Sequence, residues 1–134
     1  MTQLNCSTAL VVEDQPAIRK LIVEALRRAG CTVKEAKDGA VALQELADSA
    51  DALDLLLLDL SLPLVGGLEV LQHVRAQSPG LPVIAMSASR EDLGDARAAG
   101  ARETLAKPFD ISELLERVES CQQLTSQTTS ATIY

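Results

Sequence analysis

At 134 residues, 47% of them hydrophobic, the chain is the size of one compact domain that buries roughly two-thirds of its unfolded surface, and a second folded domain does not fit. Nineteen acidic against twelve basic residues give a net charge of -7, which opposes a phosphate backbone; with no basic arm and only Phe109 and Tyr134 as aromatics, direct nucleic-acid binding is disfavoured. Cys6, Cys31 and Cys121 are odd in number and form no CxxC pair, against a disulfide framework or zinc site.

These features imply a cytoplasmic protein. Residues 1–7 are polar and carry no signal peptide, and every apolar run is far shorter than the roughly 20 residues of a membrane span. Residues 1–7 are expected to be disordered, 8–122 to fold, and 123–134 to form a polar tail or linker stub.

In chain order, Thr8 to Val12 reads as a strand covered on both faces. Pro16 suits a first helical turn, and Ile18, Leu21, Ile22, Ala25, Leu26 and Ala29 recur at helical spacing until Gly30. Cys31 to Ala36 is a weaker strand, with Cys31 packing as a small hydrophobe. Asp38-Gly39 opens a second helix through Val41, Ala42, Leu43 and Leu46. Leu53 to Leu58 is the strongest strand, followed by a loop from Ser61 to Gly67 stiffened by Pro63.

A third helix spans about Leu68 to Ala76, with His73 exposed and inert. Leu81 to Met86 supplies a fourth strand, Arg90 to Ala99 a polar fourth helix, and Thr104 to Ala106 a fifth strand. Asp110, with Glu113 three positions on, caps a last helix reaching about Cys121; Cys6 and Cys121 are expected as surface or tail thiols. Strict β-α alternation means an α/β protein, a three-layer α-β-α sandwich around a five-stranded parallel sheet.

In such sheets sites form beyond the carboxyl ends of the strands, where Glu13, Asp14, Asp59, Ser87 and Lys107 all fall. Three carboxylates against one ammonium leave a charge of about -2, matched by one hard divalent cation. An all-oxygen set favours Mg²⁺, with the Ser61 backbone carbonyl as a further oxygen. Such a site suits phosphoryl transfer: Asp59 as nucleophile, Mg²⁺ and Lys107 on the phosphoryl oxygens, Ser87 donating its hydroxyl and the small Ala88 leaving room.

Taken singly, each residue has a plainer reading. Asp59 would open a loop, Glu13 and Asp14 would complement a helix dipole, Lys107 would be a solvated amine, and Ser87 would cap the fourth helix. Their co-occurrence reverses these readings.

These residues resemble the receiver domain of two-component response regulators, over about Ala9 to Val118. The marks are Glu13-Asp14; Asp59 with Leu62-Pro63 and Gly67-Leu68-Glu69; Ser87-Ala88; and Lys107-Pro108-Phe109. The resemblance implies a flavodoxin-like fold with strand order 2-1-3-4-5, Mg²⁺ dependence, and a cis peptide before Pro108. It implies phosphorylation of Asp59 by a sensor histidine kinase or histidine phosphotransfer protein. It further implies output to a downstream protein or attached effector through helix four, strand five and helix five, a face open also to a homodimer.

The chain departs from the family pattern in three places. Glu13 replaces the more usual Asp, Gly66 stands where Asp or Ser is frequent, and Thr104 occupies the position of a rotating aromatic. A threonine has no ring to bury, so output is expected to rest on movement of loops and helix four. Ser61 and Ser89 stand where the family tunes loss of the phosphoryl group.

The expectation is a signalling module with self-catalysed chemistry, not a turnover enzyme. Its first alternative is a pseudo-receiver that signals without phosphate. A dehalogenase-like phosphatase would need a second Asp where Ser61 stands, and a flavin-binding flavodoxin would need a phosphate loop where Glu13-Asp14 would repel the ligand.

Overall fold

The computed structural model describes the backbone from Thr8 to Ile133 and side chains through Gln122, so expectations for residues 1–7, Cys6 included, lie outside the described residues. Five parallel strands, β1 (Thr8–Val12), β2 (Thr32–Ala36), β3 (Leu55–Asp59), β4 (Val83–Ser87) and β5 (Glu103–Ala106), form one sheet in the order β2-β1-β3-β4-β5. Between and after them run α1 (Pro16–Arg28), α2 (Gly39–Ser49), α3 (Gly67–Gln77), α4 (Arg90–Ala98) and α5 (Ile111–Ile133). The expected α/β sandwich and strand order are those observed.

Alternation along the strands divides the core. Ala9, Val11, Leu55, Leu57, Ile84, Met86 and Leu105 face α1 and α5, packing on Ile22, Leu26, Leu114 and Val118. Leu10, Val12, Leu56, Leu58, Val83 and Ala85 face the opposite way, onto Ala42, Leu46, Val70, Leu71, Val74 and Ala96 of α2, α3 and α4. Both faces are dry, so the strands read as continuous apolar runs, and each large aliphatic chain buried this way contributes about 1.5–3 kcal/mol.

Local chemistry sets most element ends. Pro16 starts α1; the Asp38 carboxylate accepts from Val41 N at the head of α2; Asp110 accepts from Glu113 N at the head of α5. Gly30 and Gly100, at φ 103° and 106°, supply the left-handed residues that end α1 and α4.

Besides shifts of a residue or two at other ends, two boundaries and one burial differ from expectation. A 3-10 turn, Ala50–Ala52, takes up the chain after α2, and Asp54 binds the Thr8 backbone through both its main chain and its carboxylate, so β3 begins at Leu55 instead of Leu53. Helix α5 continues to Ile133, past the expected end near Cys121, because no glycine or proline follows to stop it. Cys121, expected at the surface, is buried in the core between the sheet and α1, since α5 is still packed there. Cys31 is buried as expected, and His73 is exposed.

Candidate functional site

The sheet reverses its winding between β1 and β3, the adjacent central strands, and the site lies above their carboxyl ends. Strand parity aims the side chains. Residues 9, 11 and 13, residues 55, 57 and 59, and residues 105 and 107 share one parity, which brings Glu13, Asp59 and Lys107 to the same side. Ladder bonds run past the strand ends and fix this placement: Glu13 N to Ala36 O at 3.1 Å, Leu60 N to Met86 O at 2.9 Å, and Lys107 N to Ser87 O at 2.9 Å.

Lys107 Nζ lies 2.8 Å from Glu13 Oε1 and 3.4 Å from Asp59 Oδ1, bridging the two buried carboxylates. Its peptide to Pro108 is cis. The Gln15 N–H donates to Glu13 Oε2 at 3.3 Å, and the Ser61 N–H donates to Asp59 Oδ1 at 3.1 Å. Carboxylate oxygens of Glu13, Asp14 and Asp59 all lie within 4.8 Å of one another, with Asp14 the most exposed of the three.

The charges perturb one another. Burial raises the Glu13 pKa, the Lys107 hydrogen bond opposes the rise, and the neighbouring Asp59 charge adds to it. For Lys107, burial alone would lower the pKa, but the hydrogen bond to Glu13 and the Asp59 charge outweigh it and the net shift is upward. The ammonium is therefore locked in its charged form, while one ammonium does not satisfy three acids.

Oxygen ligands of a single Mg²⁺ sit about 2.9 Å apart when adjacent and about 4.2 Å apart when opposite, given metal–oxygen bonds of about 2.1 Å. The acidic group gathers its carboxylate oxygens within 4.8 Å of one another, and its all-oxygen chemistry fits the ion.

On β4, Ser87 is buried and its Oγ accepts from Ser89 N at 3.0 Å, beside the exposed Ala88. Ser87 is not the cap of α4. Ser89 fills that place, accepting from Asp92 N at 3.2 Å, because it directly precedes the first helical residue, Arg90, and its hydroxyl reaches the third unpaired helical N–H. Thr104 on β5 is tied from two sides: Arg97 Nη2 of α4 donates to its hydroxyl at 3.1 Å, and Arg117 Nε of α5 to its carbonyl at 3.0 Å.

The loop after Asp59 is closed tightly. A Cβ on Gly67 would stand 2.5 Å from Leu60 Cα and 2.6 Å from the Asp59 carbonyl oxygen, so only glycine fits, whereas Gly66 has open space around it. Ser61 and Pro63 are exposed. Leu64 has φ 66°, left-handed backbone that costs a leucine roughly 1–2 kcal/mol.

Two residues with a part in this geometry were not foreseen. Arg19 Nη1 donates to the Glu13 carbonyl at 2.8 Å while its Nε pairs with Glu35 at 3.2 Å, bracing the β1 end from α1. Its helical position on the α1 surface was visible, but nothing in one sequence marks its target. Nor does the sequence signal the Leu64 conformation.

Residues 9–119 match the family model for the response regulator receiver domain, and the chain belongs to that family. Among solved structures it is similar to the receiver domain of NtrX from Brucella abortus, at 31% identity and TM-score 0.80, covering 86% of this chain and 98% of that one. The chemotaxis response regulator CheY4 of Vibrio cholerae aligns at 28% identity and TM-score 0.80, with the same coverage of both chains. Of the curated relatives, the probable transcriptional regulatory protein TcrX of Mycobacterium tuberculosis is 36% identical over 124 residues. That match covers 91% of this chain but 52% of TcrX, so the chain spans about half the length of that relative. The protein is thus a receiver domain, the signalling module of two-component regulatory systems. No helix among the described residues is long and apolar enough to cross a membrane.

Proposed function

We propose that this domain accepts a phosphoryl group on Asp59 from a sensor histidine kinase or a histidine phosphotransfer protein, in a Mg²⁺-dependent reaction. The observation that carries the reading is the Lys107 ammonium, held between Glu13 and Asp59 at 2.8 and 3.4 Å where three acids converge.

An Asp59 carboxylate oxygen attacks phosphorus; the new O–P bond forms as the donor's N–P bond breaks, and the electron pair leaves with the imidazole nitrogen. Asp59 Oδ1 is engaged by the Ser61 N–H and by Lys107, which leaves Oδ2 for attack. Glu13, Asp14 and Asp59, with the Ser61 carbonyl, would hold the Mg²⁺, which supplies neutralisation of the excess negative charge when bound. Lys107 stays protonated and turns toward the transferred group as charge develops on it. Ser87, buried at the β4 end, donates its hydroxyl to a phosphoryl oxygen, and Ala88 adds no bulk there.

The output face is α4, β5 and α5. Thr104 ties α4 and α5 to β5 through Arg97 and Arg117, so displacement of the β4–α4 loop on phosphorylation is passed to the helices without an aromatic rotor. That face serves a downstream protein, an attached effector or a second copy of the chain.

Incubation with Mg²⁺ and acetyl phosphate should add one phosphoryl group to the intact mass. Asp59→Ala should abolish the gain, and EDTA should prevent it; a gain that survives Asp59→Ala would move the acceptor elsewhere.

A further inference from the structure

We infer that Gly39, the first residue of α2, is a positioning residue for the Mg²⁺ site. Having no side chain, it lets the loop between β3 and α3 close onto α2, and that closure holds the Ser61 carbonyl where the ion takes it. The inference deepens the Mg²⁺-dependent reading proposed above and rests on it.

Gly39 offers no ligand atom and belongs to a helix that carries none of the site residues. A Cβ built on it would lie 2.1 Å from the Val65 carbonyl oxygen, 2.8 Å from Val65 Cβ and 2.9 Å from the Val65 carbonyl carbon. Since such contacts do not close below 3.0 Å, an alanine here forces the two segments apart by roughly 1 Å. Two of the three obstructing atoms are main chain, so no side-chain rotation relieves the contact.

The helix is not the part that yields. The Asp38 carboxylate caps α2 by accepting from Val41 N at 2.8 Å, and Ala42 and Leu46 are buried in the core beneath it. Nor does the far end of the loop, since Gly67 is pressed against Leu60 and the Asp59 carbonyl oxygen. Leu62 and Val65 are half-buried against the same core, so a displacement at Val65 runs back along the loop toward Ser61. Mg²⁺ demands near-ideal octahedral geometry with bonds of about 2.1 Å, and an oxygen moved by a fraction of that length gives way to water. A misplacement of about 1 Å, even when caused far from the reacting atoms, can cost about 100-fold. The carboxylates of Glu13, Asp14 and Asp59 sit on the ends of β1 and β3 and stay where they are, so Mg²⁺ binding weakens without being abolished.

Four variants of the whole chain, titrated with Mg²⁺ alone by calorimetry, test this. Gly39→Ala is expected to raise the Kd for Mg²⁺ about tenfold, with saturating Mg²⁺ restoring the rate with acetyl phosphate. Val65→Gly approaches the same contact from the loop, freeing its backbone without touching α2, and is expected to raise Kd about threefold. Two variants serve as controls. Gly66→Ala removes a glycine from the same loop where there is open space, and Ala42→Gly weakens α2 from its buried face without reaching Val65. Both should keep the wild-type Kd. An unchanged Kd in Gly39→Ala would overturn the proposal, and if that variant does not fold, an unchanged Kd in Val65→Gly would do so. Equal weakening in Ala42→Gly would also overturn it, because the loss would then follow the stability of α2 and not the contact. A wild-type chain that takes up no Mg²⁺ at all would instead sink the metal reading itself, and this proposal with it.

Discussion

The two poles of the sheet use charge in opposite ways. At the carboxyl pole, Glu13, Asp14 and Asp59 crowd together with Lys107 as their shared cation, and Glu13 is driven toward protonation by burial and by Asp59. At the amino pole, charged groups act as staples. Asp54 fastens the start of β1, and Arg75 reaches from the last turn of α3 to the carbonyls of Pro79 and Leu81. Its chain runs under Gly100, where a Cβ would lie 2.6 Å from Arg75 Cδ. Even this staple has a cost, since Arg75 Nε is buried without a hydrogen-bond partner and burial lowers its pKa. A cavity of about 610 Å³ opens at this pole, between Leu53, Leu81, Pro82, Arg102 and Cys121, and holds none of the acidic site residues. One end of the molecule is strained in favour of reactivity and the other is tied in favour of stability.

Substitutions should therefore separate the two. Arg75→Ala leaves two backbone carbonyls without their donor and removes packing at Gly100; it should lower unfolding free energy by about 2–4 kcal/mol in urea while leaving acetyl phosphate reactivity intact. Loss of both together would break the distinction between poles.

Cys121, lining the amino-pole cavity, sharpens it through pH. Burial, with Glu103 nearby, raises its thiol pKa from 9.0 to about 11. Between those values the unfolded thiol has released its proton and the folded one has not, so stability is full below pH 9 and falls as pH rises to 11. The raised Lys107 pKa acts in the same direction above 10.5. The Cys121 share is about 3 kcal/mol, and Cys121→Ala should flatten that part of a stability–pH profile.

The smallest effect has the opposite sign. Asp59→Asn removes one of the crowded charges and keeps an oxygen for the Ser61 N–H, so without divalent ions it should raise stability by about 1 kcal/mol. In wild type, added Mg²⁺ should raise the thermal midpoint, and in the variant it should not.

The carboxyl pole was the more legible in sequence, for a physical reason. Its residues sit one step past apolar runs whose alternation fixes the side they face, so Glu13, Asp59 and Lys107 could be brought together on paper. Caps at Asp38 and Asp110 were legible because they obey local rules. The amino pole depends on encounters between distant segments. Asp54 meeting Thr8, Arg75 passing under Gly100, and α5 running on to bury Cys121 leave no periodic trace. The Ser89 cap of α4 went unread for a different reason: taken singly, the hydroxyl of Ser87 two residues earlier offered itself for the same place.

One feature of β3 bears on how the chain finds its native pairing. Leu55, Leu56, Leu57 and Leu58 are identical and wholly buried, so greasiness alone gives no reason to prefer one alignment over its neighbour shifted by a single residue. Asp54 and Asp59 act as bookends. A slip in one direction drags the carboxylate of Asp59 between the helices and the sheet, and a slip in the other does the same to Asp54. Asp59, the proposed phosphoacceptor, thus also serves as a stop that seats the central strand.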